Sequence, residues 1–141
     1  MTTAVLDANV LAAQVLALPY SDAAVRIARH YDAVTVEQSI PEVATAIIKA
    51  VRAGLLAEED AEPALQSVTR LARTFSMVGM EREALRLALR LGHSAYDCFY
   101  MRLAEQLGIP FASADRKFLR KAKDVATVPL LDLFDLPENL P

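Results

Sequence analysis

The chain lacks most features that mark extracellular or membrane proteins. It has one cysteine, Cys98, no tryptophan and four glycines among 141 residues. A single cysteine cannot form an internal disulfide, and no CxxC or Cys/His grouping suggests zinc, which fits a reducing cytoplasm. The apolar N-terminal stretch MTTAVLDANVLAAQVLALPY has no basic segment and is broken by Asp7, so it predicts neither an export signal nor a membrane span. We therefore expect a cytoplasmic protein with no membrane segment.

The chain also lacks linkers and internal repeats. No period of about 20 to 50 residues recurs, and no Ser-, Gly- or Pro-rich run separates two parts of the sequence. Hydrophobic residues make up 54% of the chain, which is enough to bury one sizeable core. We expect a single domain over residues 1–141.

Positive charge is scarce at the start of the chain and concentrated near its end. The net charge of −3 argues against a generic nucleic-acid binder. Before residue 49 the only Lys or Arg residues are Arg26 and Arg29, whereas the segment DRKFLRKAKD is strongly basic. Its cations are Arg116, Lys117, Arg120, Lys121 and Lys123. Such a run is either a solvated helix face or a rim that binds phosphates, and the sequence leaves both interpretations open.

Strand-like and helical segments alternate along the chain. The short apolar pattern of a strand occurs in AVLDAN, AVTVE, SMVGM, IPFASAD and VATVPLL. Helices are predicted at about 10 to 18, from Ser21 as N-cap to Tyr31, from Ser39 to Gly54, beyond Pro63, and over EREALRLALRLG, SAYDCFYMRLAEQLG and DRKFLRKAK. The pattern predicts an α/β fold: a three-layer α/β/α sandwich with a central, mostly parallel sheet of four to five strands.

Four acidic residues are expected near one edge of this sheet. Asp7 ends the first strand, Glu42 follows the second within six residues, and Asp115 ends the fourth. Asp97 lies in the first turn of the helix that leads to the fourth strand, within the apolar arc of that helix. Because ligands of such sheets bind beyond the carboxyl ends of the strands, these acids are predicted to share one pocket.

Clustered carboxylates point to a divalent cation. In a partly buried site they repel one another unless they take up protons or a cation neutralises them. Mg²⁺ or Mn²⁺ suits an all-oxygen site, and such a pocket suits phosphodiester hydrolysis. Helix capping is the alternative, since Ser94 with Asp97 and Ser39 with Glu42 have capping-box spacing and Asp115 can act as an N-cap. The sequence leaves ligation and capping both open.

Aromatic and histidine residues give weaker signals. Tyr96, Phe99 and Tyr100 have the spacing of core positions in a helix, so no platform for stacking single-stranded RNA is predicted. His93 precedes a predicted cap and has no partner in the sequence, which favours a surface position. The aliphatic residues of VATAIIKAV and EREALRLALRLG surround much of each helix, so they either fill the core or contact another chain.

Three segments carry a resemblance that spans nearly the whole chain. They are VLDANVL at 5–11, PEVATAIIKAVRAGLL at 41–56 and SAYDCFYMRLAEQLGIPFASADRKF at 94–118. In this order the chain resembles the PIN-domain family, and it is most similar to the toxin subunits of VapBC-type pairs. The resemblance implies a Mg²⁺- or Mn²⁺-dependent endoribonuclease, the toxin of a type II toxin–antitoxin system, that forms a homodimer and is inhibited by a small antitoxin protein.

The resemblance also implies roles for individual residues. The metal-binding and catalytic acids correspond to Asp7, Glu42, Asp97 and Asp115, with support from Ser113 and Asn9. Thr45 stands where the family often has Asn, so it keeps a hydroxyl but lacks an amide, and Cys98 stands where Ala is usual.

The RNA substrate is expected to contact cations close to the acids. These are Arg116, Lys117, Arg120 and Lys121, which begin one residue after Asp115, together with Lys49 and Arg52, which follow Glu42 by about two turns. The alternative function is a catalytically silent PIN-like protein-interaction module. That alternative predicts no binding of Mg²⁺ despite the acids.

Overall fold

The strands form one parallel sheet in a computed structural model that describes residues 2–141. Its strands are β1 (Thr2–Leu6), β2 (Tyr31–Val36), β3 (Ala72–Phe75), β4 (Phe111–Ser113) and β5 (Leu130–Asp132). They pair in the order β3-β2-β1-β4-β5, and every pairing is parallel. Val5 of the central strand β1 is in register with Val34 on one side and Phe111 on the other. This arrangement confirms the predicted α/β fold.

Over residues 2–141, seven α-helices cover the sheet. They are α1 (Ala8–Ala13), α2 (Ser21–His30), α3 (Ser39–Arg52), α4 (Ala61–Leu71), α5 (Glu81–Leu91), α6 (Ala95–Leu107) and α7 (Arg116–Ala122), with a 3₁₀ turn at Glu58–Asp60. Right-handed crossovers put α1 to α4 on one face and α5 to α7 on the other, because the direction of strand addition reverses after β3. Helix contacts agree: α1 packs on α2 and α3, and α5 on α6. The reversal leaves a switch point between β1 and β4, which is where ligands bind in such sheets.

The core lies on both sides of the central strands. Val5 and Leu6 of β1 are fully buried, as are the rings of Tyr100, Phe111 and Phe118. Phe111 lies between the other two aromatic rings, with centroid distances of 6.1 and 6.2 Å. Within residues 2–141, no helix is long and apolar enough to span a bilayer.

The predicted strand SMVGM is wrong. The third strand is β3, Ala72–Phe75, and SMVGM lies in the loop that leads to α5. β3 is an edge strand that pairs only with β2, and it exposes Arg73 and Thr74. Its sequence therefore has little of the apolar run that marks a strand buried on both faces, and the helical spacing of α4 continues through it.

Two helix starts also differ from prediction. The helix expected at about 10 to 18 is α1, which begins directly after Asp7 and ends earlier. Ser21 does not cap α2; it is the first residue of that helix. Its hydroxyl accepts a hydrogen bond from Leu18 N at 2.9 Å and donates one to Leu16 O at 2.8 Å. Ser21 therefore stabilises the loop before the helix.

Candidate metal centre

Three of the predicted acids line one pocket at the switch point. Asp7 follows β1 directly, Glu42 lies in the first turn of α3, and Asp97 lies in the first turn of α6. These side chains line a pocket of about 280 Å³. Because α3 and α6 lie on opposite faces of the sheet, the pocket joins carboxylates that come from both layers of helices.

Asp7 is the most buried of these acids, with 3% of its surface exposed. The Ser113 hydroxyl donates a hydrogen bond of 2.8 Å to Asp7 Oδ2. The pKa of Asp7 is raised to about 7, chiefly by burial; the Ser113 hydrogen bond lowers it, and the negative charges of Asp97 and Glu42 contribute to the rise. A proton or a cation is therefore needed to keep this carboxyl group stable where it lies.

Asp115 is connected to the other acids through Ser113 and His93. Its backbone N–H donates to Ser113 Oγ at 3.0 Å, so one hydroxyl links the chain after β4 to Asp7 after β1. Asp115 Oδ1 accepts a hydrogen bond from Phe118 N at 3.0 Å, which caps α7. The other oxygen, Oδ2, lies 3.8 Å from His93 Nε2. Asp115 thus combines a cap with a position beside the other acids.

His93 belongs to the cluster, so its predicted surface position is wrong. Its side chain is 11% exposed, and Nε2 lies 2.6 Å from Asp97 Oδ2. Lys121 Nζ lies 3.5 Å from Nδ1 on the other side of the ring. Because an ammonium group only donates, this contact leaves the Nε2 hydrogen for Asp97. The signal in the sequence was the spacing of four residues between His93 and Asp97.

His93, Asp97 and Asp115 are arranged like the ligands of a metal ion. Each offers one ligand atom, and these three atoms lie within 4.8 Å of one another. Burial raises the pKa of Asp97; the Asp115 carboxylate raises it further, whereas His93 lowers it. The carboxyl groups of this cluster therefore disfavour one another's charged form, which a cation would relieve.

Capping accounts for only one of the four acids. The Asp7 side chain makes no capping hydrogen bond to α1, although Asp7 stands at its N-cap. Glu42 Oε2 accepts a hydrogen bond of 3.2 Å from the Tyr100 hydroxyl, and the pKa of Glu42 is raised by burial and by Asp97. Ser94 caps α6 by accepting from Tyr96 N, while Asp97 contacts His93. The capping-box interpretation of Glu42 and Asp97 is therefore wrong.

The residues expected to support the acids differ in position. Asn9 Oδ1 accepts from Ala114 N at 3.0 Å and its Nδ2 donates to Ser113 Oγ at 3.4 Å, so Asn9 joins α1 to the end of β4. Thr45 lies one turn after Glu42, and its hydroxyl donates to Pro41 O within the same helix. Asn9 and Ser113 are thus in the hydrogen-bond network of the acids, whereas the Thr45 hydroxyl is held within α3.

The predicted RNA-binding cations lie along two helices that start at the acid pocket. Two of them, Arg116 and Arg120, line a groove of about 540 Å³ beside β5, together with Lys123 and Asp132. Arg116 Nε contacts Asp132 Oδ2 at 3.0 Å. Lys121 Nζ donates to Gly92 O at 2.9 Å, which holds it near His93.

The other three cations are exposed. Lys117 is at the start of α7, one turn from the acids, whereas Lys49 and Arg52 are in the last turn of α3. They lie roughly 10 to 15 Å beyond Glu42 along the helix axis, at 1.5 Å per residue. The structure therefore places Lys117 closer to the acids than Lys49 or Arg52.

The Ser113 hydroxyl contacts Asp7, Asn9 and the backbone of Asp115, so replacing Ser113 tests this hydrogen-bond network. In Ser113→Ala, Asp7 loses its hydroxyl donor and Asp115 N–H loses its acceptor, so we expect a loss of about 1–3 kcal/mol in the free energy of unfolding. Urea denaturation followed by circular dichroism measures it. Ser67→Ala is the control, because the exposed Ser67 hydroxyl bonds only to Pro63 O of its own helix. Equal losses in the two variants would contradict a special role for Ser113.

Sequence comparisons match the chain to one protein family. A family model described as PIN domain matches residues 4–124. Ribonuclease VapC3 of Pyrobaculum aerophilum is 29% identical over 127 residues, which are 87% of this chain and 97% of that protein.

Solved structures share the fold. PAE2754 from Pyrobaculum aerophilum superposes with a TM-score of 0.71 at 22% identity, over 94% of this chain and 90% of that one. FitAcB from Neisseria gonorrhoeae gives a TM-score of 0.65 at 17% identity, over 95% and 100% of the chains. The structure of FitAB bound to an IR36 DNA fragment gives a TM-score of 0.65 at 13% identity, over 98% of this chain and 100% of that one.

Proposed function

The chain belongs to the PIN domain family, and from this we propose that it is a Mg²⁺- or Mn²⁺-dependent endoribonuclease, the toxin of a type II toxin–antitoxin pair. The similarity to a VapC ribonuclease supports a nuclease of this kind. The observation that carries the proposal is the convergence of Asp7, Glu42 and Asp97 on one pocket, with Asp115 beside them. Carboxylates that raise one another's pKa are stable together when a divalent cation joins them.

The donor set fits the proposed cation. Asp7, Glu42, Asp97 and Asp115 provide hard oxygen ligands, which Mg²⁺ and Mn²⁺ prefer. His93 Nε2 lies beside Asp97 and Asp115, where it contacts Asp97 Oδ2 at 2.6 Å, so we assign it to holding Asp97 and not to binding the cation. When bound, the cation would lower the pKa of a water molecule and neutralise charge on the leaving oxygen of a phosphodiester.

Other residues of the proposed site hold the acidic side chains in position. Ser113 and Asn9 fix Asp7 relative to β4, and the Tyr100 hydroxyl donates to Glu42. His93 holds the Asp97 carboxylate from the side of α7. Such outer contacts orient ligands and tune their basicity, so they are part of the proposed site.

RNA is proposed to follow the cations of α7. This helix starts one residue after Asp115, so a phosphate held by its first turn lies next to the acids. The groove along α7 and β5 has three cations against Asp132 and Asp135, which leaves it an excess of positive charge. Lysine and arginine contacts of this kind bind the backbone without selecting a base sequence.

A second chain is proposed to cover the exposed apolar residues of α5. Leu85 and Leu89 lie one turn apart on this helix and are 55% and 75% exposed. In α3, by contrast, Val43 and Ile47 are buried and only Ile48 among the large aliphatics of VATAIIKAV is nearly half exposed. The α5 surface supports the proposed homodimer or antitoxin contact.

Cleavage assays test the proposed function directly. The purified chain is expected to cut single-stranded RNA in Mg²⁺ or Mn²⁺ and to lose that activity completely in EDTA, because the acids alone cannot activate water. Calorimetric titration with Mn²⁺ measures ion binding independently of cleavage. A chain that binds no Mn²⁺ and cuts no RNA would instead be the silent interaction module.

A further inference from the structure

A second groove adjoins the acid pocket. It has a volume of about 530 Å³ and is lined by Gln38, Pro41, Glu42, Thr45, Ser94, Tyr96 and Asp97. Glu42 and Asp97 are shared with the acid pocket, so the two spaces are neighbours across these carboxylates. A group held in this groove therefore lies next to any phosphate that is bound at the acids.

Tyr96 presents an exposed ring in this groove. It is 66% exposed, although its helical spacing predicts a core position; Tyr100, one turn later, is fully buried as expected. Tyr96 lies in the first turn of α6, next to Gln38 at the start of α3, and its ring is outside the buried part of that helix. The predicted core position is thus wrong for Tyr96.

The main chain of Tyr96 is held on both sides. Its carbonyl accepts a hydrogen bond of 2.9 Å from Gln38 Nε2, and its N–H donates to Ser94 Oγ at 3.3 Å. Gln38 is itself buried at the start of α3. The ring therefore stands on a fixed backbone that joins α6 to α3, and it needs little reordering when a ligand binds.

We propose that Tyr96 is a stacking platform for an unpaired RNA base beside the acid pocket. This inference rests on the proposed nuclease function and names its substrate as single-stranded RNA at the point of cleavage. A single ring among Gln38, Thr45 and Ser94 suits the flat face of a base, whereas a protein partner would need a wider apolar patch. Bases in a duplex have both faces covered, so they cannot stack here.

Fluorescence gives a test that does not depend on cleavage. Because the chain has no tryptophan, Tyr96→Trp provides a single indole beside the groove. Single-stranded RNA, added in a buffer that contains Ca²⁺, is expected to quench the fluorescence of this indole. A duplex of the same sequence is expected to quench it much less. Leu71→Trp is the matched control, since Leu71 is 68% exposed just before β3, at the opposite edge of the sheet.

Kinetics give the second test. Tyr96→Leu is expected to raise KM for single-stranded RNA by roughly 5- to 150-fold, the range that loss of one stacked base produces. The kcat should change far less, and Tyr96→Phe should keep the KM of the original chain because it keeps the ring. A structural defect in Tyr96→Leu would lower kcat as well, and it would not explain why an aromatic ring in Tyr96→Phe restores the KM.

Three results would overturn the stacking role. They are equal quenching in both tryptophan variants, an unchanged KM in Tyr96→Leu, and a Tyr96→Leu chain that binds RNA normally but loses only a protein partner. Quenching by single-stranded RNA without any cleavage in Mg²⁺ would instead support stacking while refuting the nuclease function. The two proposals therefore fail separately.

Discussion

Replacing Asp97 with asparagine is expected to reduce RNA cleavage in Mg²⁺ by more than about 100-fold while the chain still folds. Loss of an outer contact to a metal ligand costs about 10- to 100-fold, so loss of a charged ligand should cost more. Asparagine keeps the shape of Asp97 and an oxygen that can accept from His93 Nε2. It also removes a charge that raises the pKa of Asp7, so stability should not fall.

The matched control for this variant is Asp22→Asn. Asp22 is an exposed acid that, like Asp97, lies in the first turn of its helix, but it is outside the cluster. Single-turnover cleavage rates and thermal unfolding by circular dichroism should be measured on both. If Asp97→Asn cut RNA at a rate within a few-fold of that of the original chain, Asp97 would only stabilise the start of α6 and would not be a metal ligand.

Asp7 should make the stability of the chain depend on pH and on divalent cations together. Its pKa is about 7 in the folded chain against an ordinary 3.8, so between these values the folded chain binds a proton that the unfolded chain releases. The unfolding free energy without added cation should therefore fall as pH rises from about 4 to about 7, by on the order of a few kcal/mol. Below about pH 4 both states are protonated and the penalty is absent.

Mn²⁺ is expected to replace that proton. Thermal unfolding should show a larger rise in Tm on adding Mn²⁺ at about pH 8 than at about pH 5, because the carboxylate is free to bind only where the proton has left. In Asp7→Asn, most of the pH slope and most of the Mn²⁺ effect should disappear, and the chain in EDTA should be more stable at about pH 8. An unchanged slope in this variant would show that Asp7 is not the group responsible.

The sequence predicted the parts of the fold that repeat a strong local pattern. The central strands and the pair α5 and α6 follow from apolar runs, helical spacing and the glycines after each helix, Gly92 and Gly108, which adopt positive φ as expected. The edge strand β3 was misplaced because half of its residues face solvent. A strand that pairs on one side only leaves a weak signal.

The site was predictable where the topology alone determines the position. Parallel strands carry Asp7 and Asp115 to the same edge, and a helix that returns toward β4 has to begin there, which places Asp97. Tyr96 was assigned wrongly because its ring is exposed in the first turn of α6, although its spacing is that of the buried Tyr100. His93 precedes α6, and it is covered through contacts with Asp97 and with Lys121 of the distant α7, which the sequence does not reveal. Helical spacing describes which side of a helix meets the core, but it carries no information about where the core ends.

The hydrogen bond from Ser113 to Asp7 joins two residues that are 106 positions apart in the chain. On the ribosome the first acid emerges long before its partner, and at about 5–20 residues per second the delay is roughly 5 to 20 s. The central strand β1 also lacks its neighbour β4 during that interval. A nascent chain therefore cannot assemble the acid pocket, and the proposed nuclease would leave its own messenger RNA and ribosome intact until synthesis is nearly finished.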